Sequence, residues 1–314
     1  MSTSETKANA GDGTVVDPQG MVWIAGGAFL MGSDGHYPEE APAHRVRVDG
    51  FWIDQFTVTN RDFETFVAAT GHVTLAERPA DPSHYPGARP DMLAPSSTMF
   101  RRPTGPVDMS NHYNWWAYVP GANWRHPRGP ASSIHKLMNH PVVHVAWEDV
   151  EAYARWAGKQ PPSEAEWEFA ARGGLGRAEF VWGDELTPGG RHMAIHGRAI
   201  SPIATRWRTA TSTRRSSAPS RRTAMVFTIW PEMSGNGRRT STRTMARSPI
   251  PAARRRIRVP RRETKGGSHL CAPNYRRCYR PAARMAQPVD TSISHLGFRC
   301  ILRPMKKQDD AYDA

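Results

Sequence analysis

Cysteine is scarce in this chain: Cys271, Cys278 and Cys300 are the only three in 314 residues, and all lie within the last 44 positions. An odd and small number at one end excludes a disulfide scaffold, so reduced thiols are the expectation. Long apolar runs are absent too. No window reaches the roughly 18 apolar residues of a membrane span, and residues 1–17 have neither the basic start nor the apolar stretch of a secretory signal. These absences predict a cytoplasmic protein with no membrane partner, a disordered start over 1–17 and a polar tail over 305–314.

Acidic residues are missing from one place. The net charge is +13, but residues 191–256 hold 15 Arg, no Lys and a single acid, Glu232. That window carries +14, which leaves −1 for the rest of the chain. The charge belongs to a segment and not to a fold, so the basic balance by itself does not argue for specific nucleic-acid binding.

What remains is a chain long enough to bury one sizeable core, as one large domain or two ordinary ones. From Met21 to Asp54 apolar and polar residues alternate between glycines, the period-2 signature of short strands. Thr59-Asn60 caps a helix carrying Phe63, Phe66 and Val67, which Gly71 stops. A second helix is predicted over Trp147–Ala157, burying Val150, Tyr153 and Trp156 or Ala157. Ser163-Glu164-Ala165-Glu166 reads as a capping box opening a third, closed by Gly173-Gly174. Between Pro79 and Pro141, Pro, Asn, Gly and Trp residues show little periodicity, which predicts order by aromatic packing without ladders. Few helices among irregular connections indicate an α+β domain of low regular content.

Seven pieces of text are specific enough to name a family: Met31-Gly32-Ser33, Tyr37-Pro38-Glu39-Glu40-Ala41-Pro42, Gly121-Ala122-Asn123-Trp124-Arg125-His126-Pro127, His140-Pro141-Val142-Val143-His144-Val145, Ser163-Glu164-Ala165-Glu166-Trp167-Glu168, Gly266-Gly267-Ser268-His269-Leu270-Cys271 and Gly297-Phe298-Arg299-Cys300. They resemble the formylglycine-generating enzymes of the sulfatase-modifying factor family, over residues 20–184 and 257–302. The resemblance implies one C-type-lectin-like domain over 18–304.

Between those two stretches the resemblance breaks off, over 195–256. Codons can be chosen for Ala194–Thr205 such that a reading begun at the last base of the Ala194 codon gives Asn-Thr-Trp-Gln-Gly-Asp-Phe-Pro-Tyr-Arg-Asn. The same phase applied to Ala224–Thr240 gives Asn-Gly-Phe-His-Asp-Met-Ala-Gly-Asn-Val-Trp-Glu-Trp-Thr-Thr-Asp. Both are strings that the family carries there, so we read this stretch as translated out of frame; the plainer alternative is a disordered basic insert. Loss of buried aromatics such as the Trp-Glu-Trp pair, at about 3–5 kcal/mol each against about 5–15 in total, predicts impaired folding and activity.

In the family, two cysteines five apart bind copper(I), and the copper activates dioxygen to oxidise a substrate cysteine to formylglycine. Soft thiolates suit that soft ion. By resemblance Cys271 is the first of them. The second belongs at position 276, where Arg276 stands, and the next thiol is Cys278, so whether Cys278 replaces it stays open. Resemblance also gives Ser268 a place beside the thiols, and Glu40, Trp124 and Tyr275 places along the groove for a sulfatase Cys-x-Pro-x-Arg segment. The structural alternatives are an inert buried thiol, a turn hydroxyl, a surface carboxylate and ordinary aromatic packing. His126, His140 and His144 lack a zinc spacing and read as structural. Cys300 resembles half of a disulfide whose other half falls on Ala154, leaving a free buried thiol. Calcium, expected in the family, takes its ligands from the two hidden strings, so those ligands are gone from the chain as written.

Three functions follow: a copper-dependent oxidoreductase, a noncatalytic binding module of the same fold, and a basic nucleic-acid-binding protein.

Overall fold

The computed structural model describes residues 20–105, 107–108, 110–191, 193, 259–268, 270 and 277–304, together with the backbone of 225–227. The rest of the Arg-rich stretch 195–256 lies outside the described residues, as do both termini. The described elements run β1 (Met21–Ile24), β2 (Gly27–Met31), β3 (His44–Val48), β4 (Phe51–Asp54), α1 (Asn60–Thr70), β5 (Ser96–Phe100), β6 (Trp116–Pro120), α2 (Trp147–Trp156), α3 (Glu164–Arg172), β7 (Met225–Phe227), β8 (Arg261–Lys265), β9 (Met285–Pro288), β10 (Leu296–Gly297) and β11 (Ile301–Leu302). This is the expected α+β domain with short elements and long connections.

The strands form two sheets and two ribbons. β1, β4 and β11 make one antiparallel sheet, in which the C-terminal strand pairs with the N-terminal region (Ile301 opposite Ile53). The other has the order β10-β7-β8-β9, and β2-β3 and β5-β6 are separate antiparallel pairs. The β5-β6 pair departs from the sequence reading, which expected no ladder between Pro79 and Pro141. Five residue pairs, from Ser96 opposite Pro120 to Phe100 opposite Trp116, make a full ribbon there. Neither strand announces itself by strict alternation, because partners far apart in sequence supply what the local pattern lacks.

The helices follow their caps. In α1 the Thr59 hydroxyl accepts from the Asp62 amide at 3.2 Å, the Asp62 carboxylate accepts from the Thr59 amide at 2.9 Å, and Gly71 ends the helix at φ +67°. Phe63, Phe66 and Val67 turn inward as their spacing requires. α2 buries Val150, Tyr153 and Ala154, but Trp156 is 42% exposed, so the inward face ends a residue or two earlier than expected. α3 starts on its predicted box: Ser163 Oγ accepts from the Glu166 amide, and the Glu166 carboxylate accepts from the Ser163 amide at 2.7 Å.

The largest core joins α1 and α2 to the C-terminal segment. Phe63 lies at its centre, with ring contacts to Phe66, Trp124, Tyr153 and Phe298. A second cluster (Phe29, Met31, Val48, Phe51, Ile53, Ile301) fills the space between β2-β3, the first sheet and α3. Cys300 is a free thiol buried in the first cluster beside Ala154, and burial pushes its pKa well up. Among the described residues no helix is long and apolar enough to cross a membrane.

Candidate functional site

α3 has an unusual inner face. Its box and its length fix a helix, yet Glu164, Glu166, Glu168 and Arg172 are all buried. Carboxylates survive burial only when paired and hydrogen-bonded. Glu168 accepts from the Gly32 amide at 3.0 Å, from Arg172 Nη2 at 2.7 Å and from Lys265 Nζ at 2.9 Å. Burial opposes its ionisation, but Lys265, Gly32 and Arg172 outweigh that and hold its pKa below the ordinary range. Glu164 takes Lys265 Nζ at 3.1 Å and Arg284 Nε at 2.9 Å. Lys265 closes β8, and its ammonium also donates to the Ala282 carbonyl at 3.4 Å.

The strand that ends on Lys265 runs into Gly266-Gly267-Ser268. Gly267 sits at φ +70°, and a Cβ there would lie 2.6 Å from the Tyr279 Cα and 3.0 Å from the Cys278 carbonyl carbon. Only glycine permits both that backbone and that approach. The contact lays Gly267 on Cys278-Tyr279. Ser268 is buried, and its hydroxyl accepts from the Leu270 amide at 3.1 Å. Cys278 is buried with Phe180, Tyr279 and Ala283, and Phe180 stacks between Trp182 (5.1 Å) and Tyr279 (5.9 Å).

Arg280 completes the site from the same segment. Its guanidinium forks onto Glu40, Nη1 to Oε2 at 2.8 Å and Nη2 to Oε1, with both side chains buried, and it lies 5.5 Å over the Tyr37 ring. The Tyr37 hydroxyl accepts from the Arg277 amide at 3.0 Å. Gly32, at φ +85°, passes so close to Glu40 that a Cβ would fall 2.4 Å from its carbonyl oxygen. A cavity of about 400 Å³ opens beside Arg280, with Ser33, His36, Arg172, Arg177 and Glu179 among its walls.

Of the residues expected from sequence, Ser268 and Cys278 therefore lie on the segment from Gly266 to Arg284, and Glu40 pairs with Arg280 of that segment. Cys271 and Tyr275, together with Arg276, lie outside the described residues. Glu40 is a buried ion-pair partner and not a solvated carboxylate. Trp124 packs edge-on to Phe63 at 5.2 Å in the main core, 1% exposed, with Arg125 over its ring. The histidines take structural places: His144 is buried between Ser97 Oγ (2.7 Å) and the Pro127 carbonyl (3.0 Å), His126 donates to the Ser132 carbonyl, and His140 is exposed. Lys265, Glu164, Glu168, Arg280 and Arg284 escaped the sequence reading. The signal available was a pair of acids one helical turn apart on α3, with basic residues at both ends of the cysteine segment.

Donor chemistry decides which ions suit this region. Cys278 offers sulfur inside an apolar wall, which fits a soft ion such as copper(I) and not a hard one. Among the described residues no three His, Cys, Asp or Glu side chains form a group that could hold a metal. The calcium ligands expected by resemblance belong to a stretch outside the described residues.

Comparison with known proteins bears on the whole chain. Residues 6–304 match the family of the sulfatase-modifying factor enzyme 1-like domain. A formylglycine-generating enzyme of Mycobacterium tuberculosis is 43% identical over 294 residues, 91% of this chain and 98% of that protein. The inactive C-alpha-formylglycine-generating enzyme 2 of Mus musculus is 41% identical over 180 residues, 56% of this chain and 54% of that protein. PvdO from Pseudomonas aeruginosa shares the fold, with a TM-score of 0.50 at 20% identity over 90% of this chain and 93% of its own. With a family match across nearly its full length and a relative covered almost whole, the chain belongs to the sulfatase-modifying factor family.

Proposed function

We propose that this chain is an oxidoreductase of the formylglycine-generating kind, converting the cysteine of a sulfatase Cys-x-Pro-x-Arg segment to formylglycine with dioxygen and copper. The observation that carries the reading is the packing of Gly267 on Cys278-Tyr279. It brings the residue before the buried Ser268 onto the backbone of Cys278-Tyr279, in a chain whose relatives are named for that conversion. Copper, bound by Cys271 and Cys278, would supply the activation of dioxygen.

The chain's own residues have separate tasks in this reading. The aromatic wall of Phe180 and Tyr279 excludes water from the Cys278 sulfur. Ser268 presents a hydroxyl fixed by the Leu270 amide, able to donate to a sulfur or an oxygen species. Glu40 serves the substrate groove through Arg280, which it orients. Oxidation of the client's β-carbon releases two electrons and the sulfur as sulfide, while dioxygen reduced to water takes four, so a small thiol must supply the other two.

Copper(I) titration of the purified protein, with alkylation of Cys271 and Cys278 followed by mass spectrometry, tests the site. One copper per chain with both thiols protected is expected. Stoichiometric copper that protects neither thiol would sink the proposal. A client peptide with dioxygen and a small thiol should then show the mass loss of cysteine becoming formylglycine.

A second reading, a noncatalytic module that retains the groove, draws on Arg276 in the place of the second family thiol. It predicts that the peptide binds and leaves unchanged.

A further inference from the structure

We infer that Glu164 and Glu168 are positioning residues for the proposed oxidation: from one face of α3 they clamp both ends of the segment Gly266–Ala283 that carries Ser268, Cys271 and Cys278. The inference rests on the oxidoreductase reading. Its geometry does not.

The clamp is visible residue by residue. Lys265 immediately precedes the segment and its ammonium reaches both acids, Glu164 Oε1 at 3.1 Å and Glu168 Oε2 at 2.9 Å. Arg284 immediately follows the segment and reaches the same Glu164 oxygen at 2.9 Å. One carboxylate thus ties together two residues 19 positions apart, at the entry and exit of the excursion. Glu168 adds a third tie, to the Gly32 amide at 3.0 Å, and Gly32 backs the Glu40 that grips Arg280 within the segment. Between these ties the segment touches itself where Gly267 lies on Tyr279.

Chemistry explains why a clamp is needed. Two sulfurs hold one small ion only if they converge within a few ångström, so the two chain ends that bracket them need a fixed separation. The bonds from Lys265 are charge-assisted hydrogen bonds in a dry core and fix direction as well as distance, while Arg284 adds an ion pair at the exit. Arg280 and Arg284, four apart, both answer to acids from outside the segment, so its returning limb is held at two points.

The test compares Glu164→Gln and Glu168→Gln with Glu166→Gln. Glu166 lies on the same helix and is also buried, but it pairs with Arg303 at 2.7 Å, away from the segment. Each variant, checked for its melting transition, is alkylated under native conditions and the rates at Cys271, Cys278 and Cys300 are read separately. The Glu164 and Glu168 variants should raise the rates at Cys271 and Cys278 by about tenfold, the response to opening made easier by about 1.4 kcal/mol, with Cys300 unchanged. In peptide oxidation they should lower kcat and leave KM within about twofold. Glu166→Gln should lower the melting temperature and leave all three rates alone.

Equal rises at all three cysteines, or a rise in Glu166→Gln as large as in the others, would overturn the inference. Should Glu164→Gln fail to fold, Arg284→Gln releases only the exit end and must give the same selective rise. A selective rise in a chain that never oxidises the peptide leaves the clamp standing and removes the oxidoreductase reading. Unaltered rates in an active chain do the reverse.

Discussion

Two regions of this molecule solve burial by opposite means. Around Phe63 the core is made of rings and aliphatic side chains, with Phe63, Phe66, Trp124, Tyr153 and Phe298 meeting in pairs at angles that suit aromatic quadrupoles. Between α3 and the Gly266–Arg284 segment the interior is ionic, with Glu40, Glu164, Glu168, Arg172, Lys265 and Arg280 all buried. Apolar packing is non-directional and tolerates some slip, whereas a forked guanidinium or a shared carboxylate does not. The ionic region carries the candidate site, and the aromatic region carries the bulk of the fold.

The largest expected effects are similar in size on the two sides and differ in how they can be repaired. Phe63→Ala should cost about 3–5 kcal/mol in urea unfolding, because it opens a cavity at the meeting point of several rings. Arg280→Met should cost about 3–5 kcal/mol, because it strands Glu40 as a buried charge, and the double variant E40L/R280M should regain most of that loss. A double variant no more stable than R280M would break the comparison, since the region would then need its charges as such.

A smaller difference separates two glycines of nearly equal backbone. Gly71 (φ +67°) caps α1 with open space around its missing Cβ, while Gly267 (φ +70°) lies against Tyr279. Gly71→Ala should cost about 1–2 kcal/mol of conformational strain. Gly267→Ala should cost more, and should also change the alkylation rate of Cys278. Equal losses and unaltered alkylation would show that the close approach carries nothing.

A probe that leaves the sequence intact is pH, through a polar link in the otherwise apolar part. Burial lowers the His144 pKa from 6.5 to about 4, although the Pro127 carbonyl pulls it upward. Between those values the unfolded chain binds a proton that the folded chain refuses, so stability falls as pH drops through that interval, by at most about 1.4 kcal/mol per unit. Comparing wild type with His144→Gln isolates this slope. Parallel stability curves for the two would remove His144 as its source.

How far the sequence could be read varied along the chain for physical reasons. The cap at Thr59, the box Ser163–Glu166 and the stops Gly71 and Gly173 were legible because capping joins residues three or four apart. The β5-β6 ribbon was not, since its partners stand some 20 residues apart and neither strand alternates. At the candidate site, Glu40, Ser268 and Cys278 stood out through resemblance. What Glu40 does there was hidden, because an Arg 240 positions away neutralises it. Trp124 looked equally suited to a groove or a core, and only packing placed it against Phe63.

By itself the sequence determined the helices, the paucity of disulfide chemistry, the confinement of the excess charge to 191–256 and the family. Each is written in short-range patterns or in local text. Only the tertiary structure decided that α3 turns its acids inward and that Lys265 and Arg284 meet on a single carboxylate. It alone pressed Gly267 onto the residue after Cys278. Ion pairing between distant residues leaves no periodic trace in a sequence, because what makes a buried charge tolerable is a partner that folding alone brings within about 3 Å.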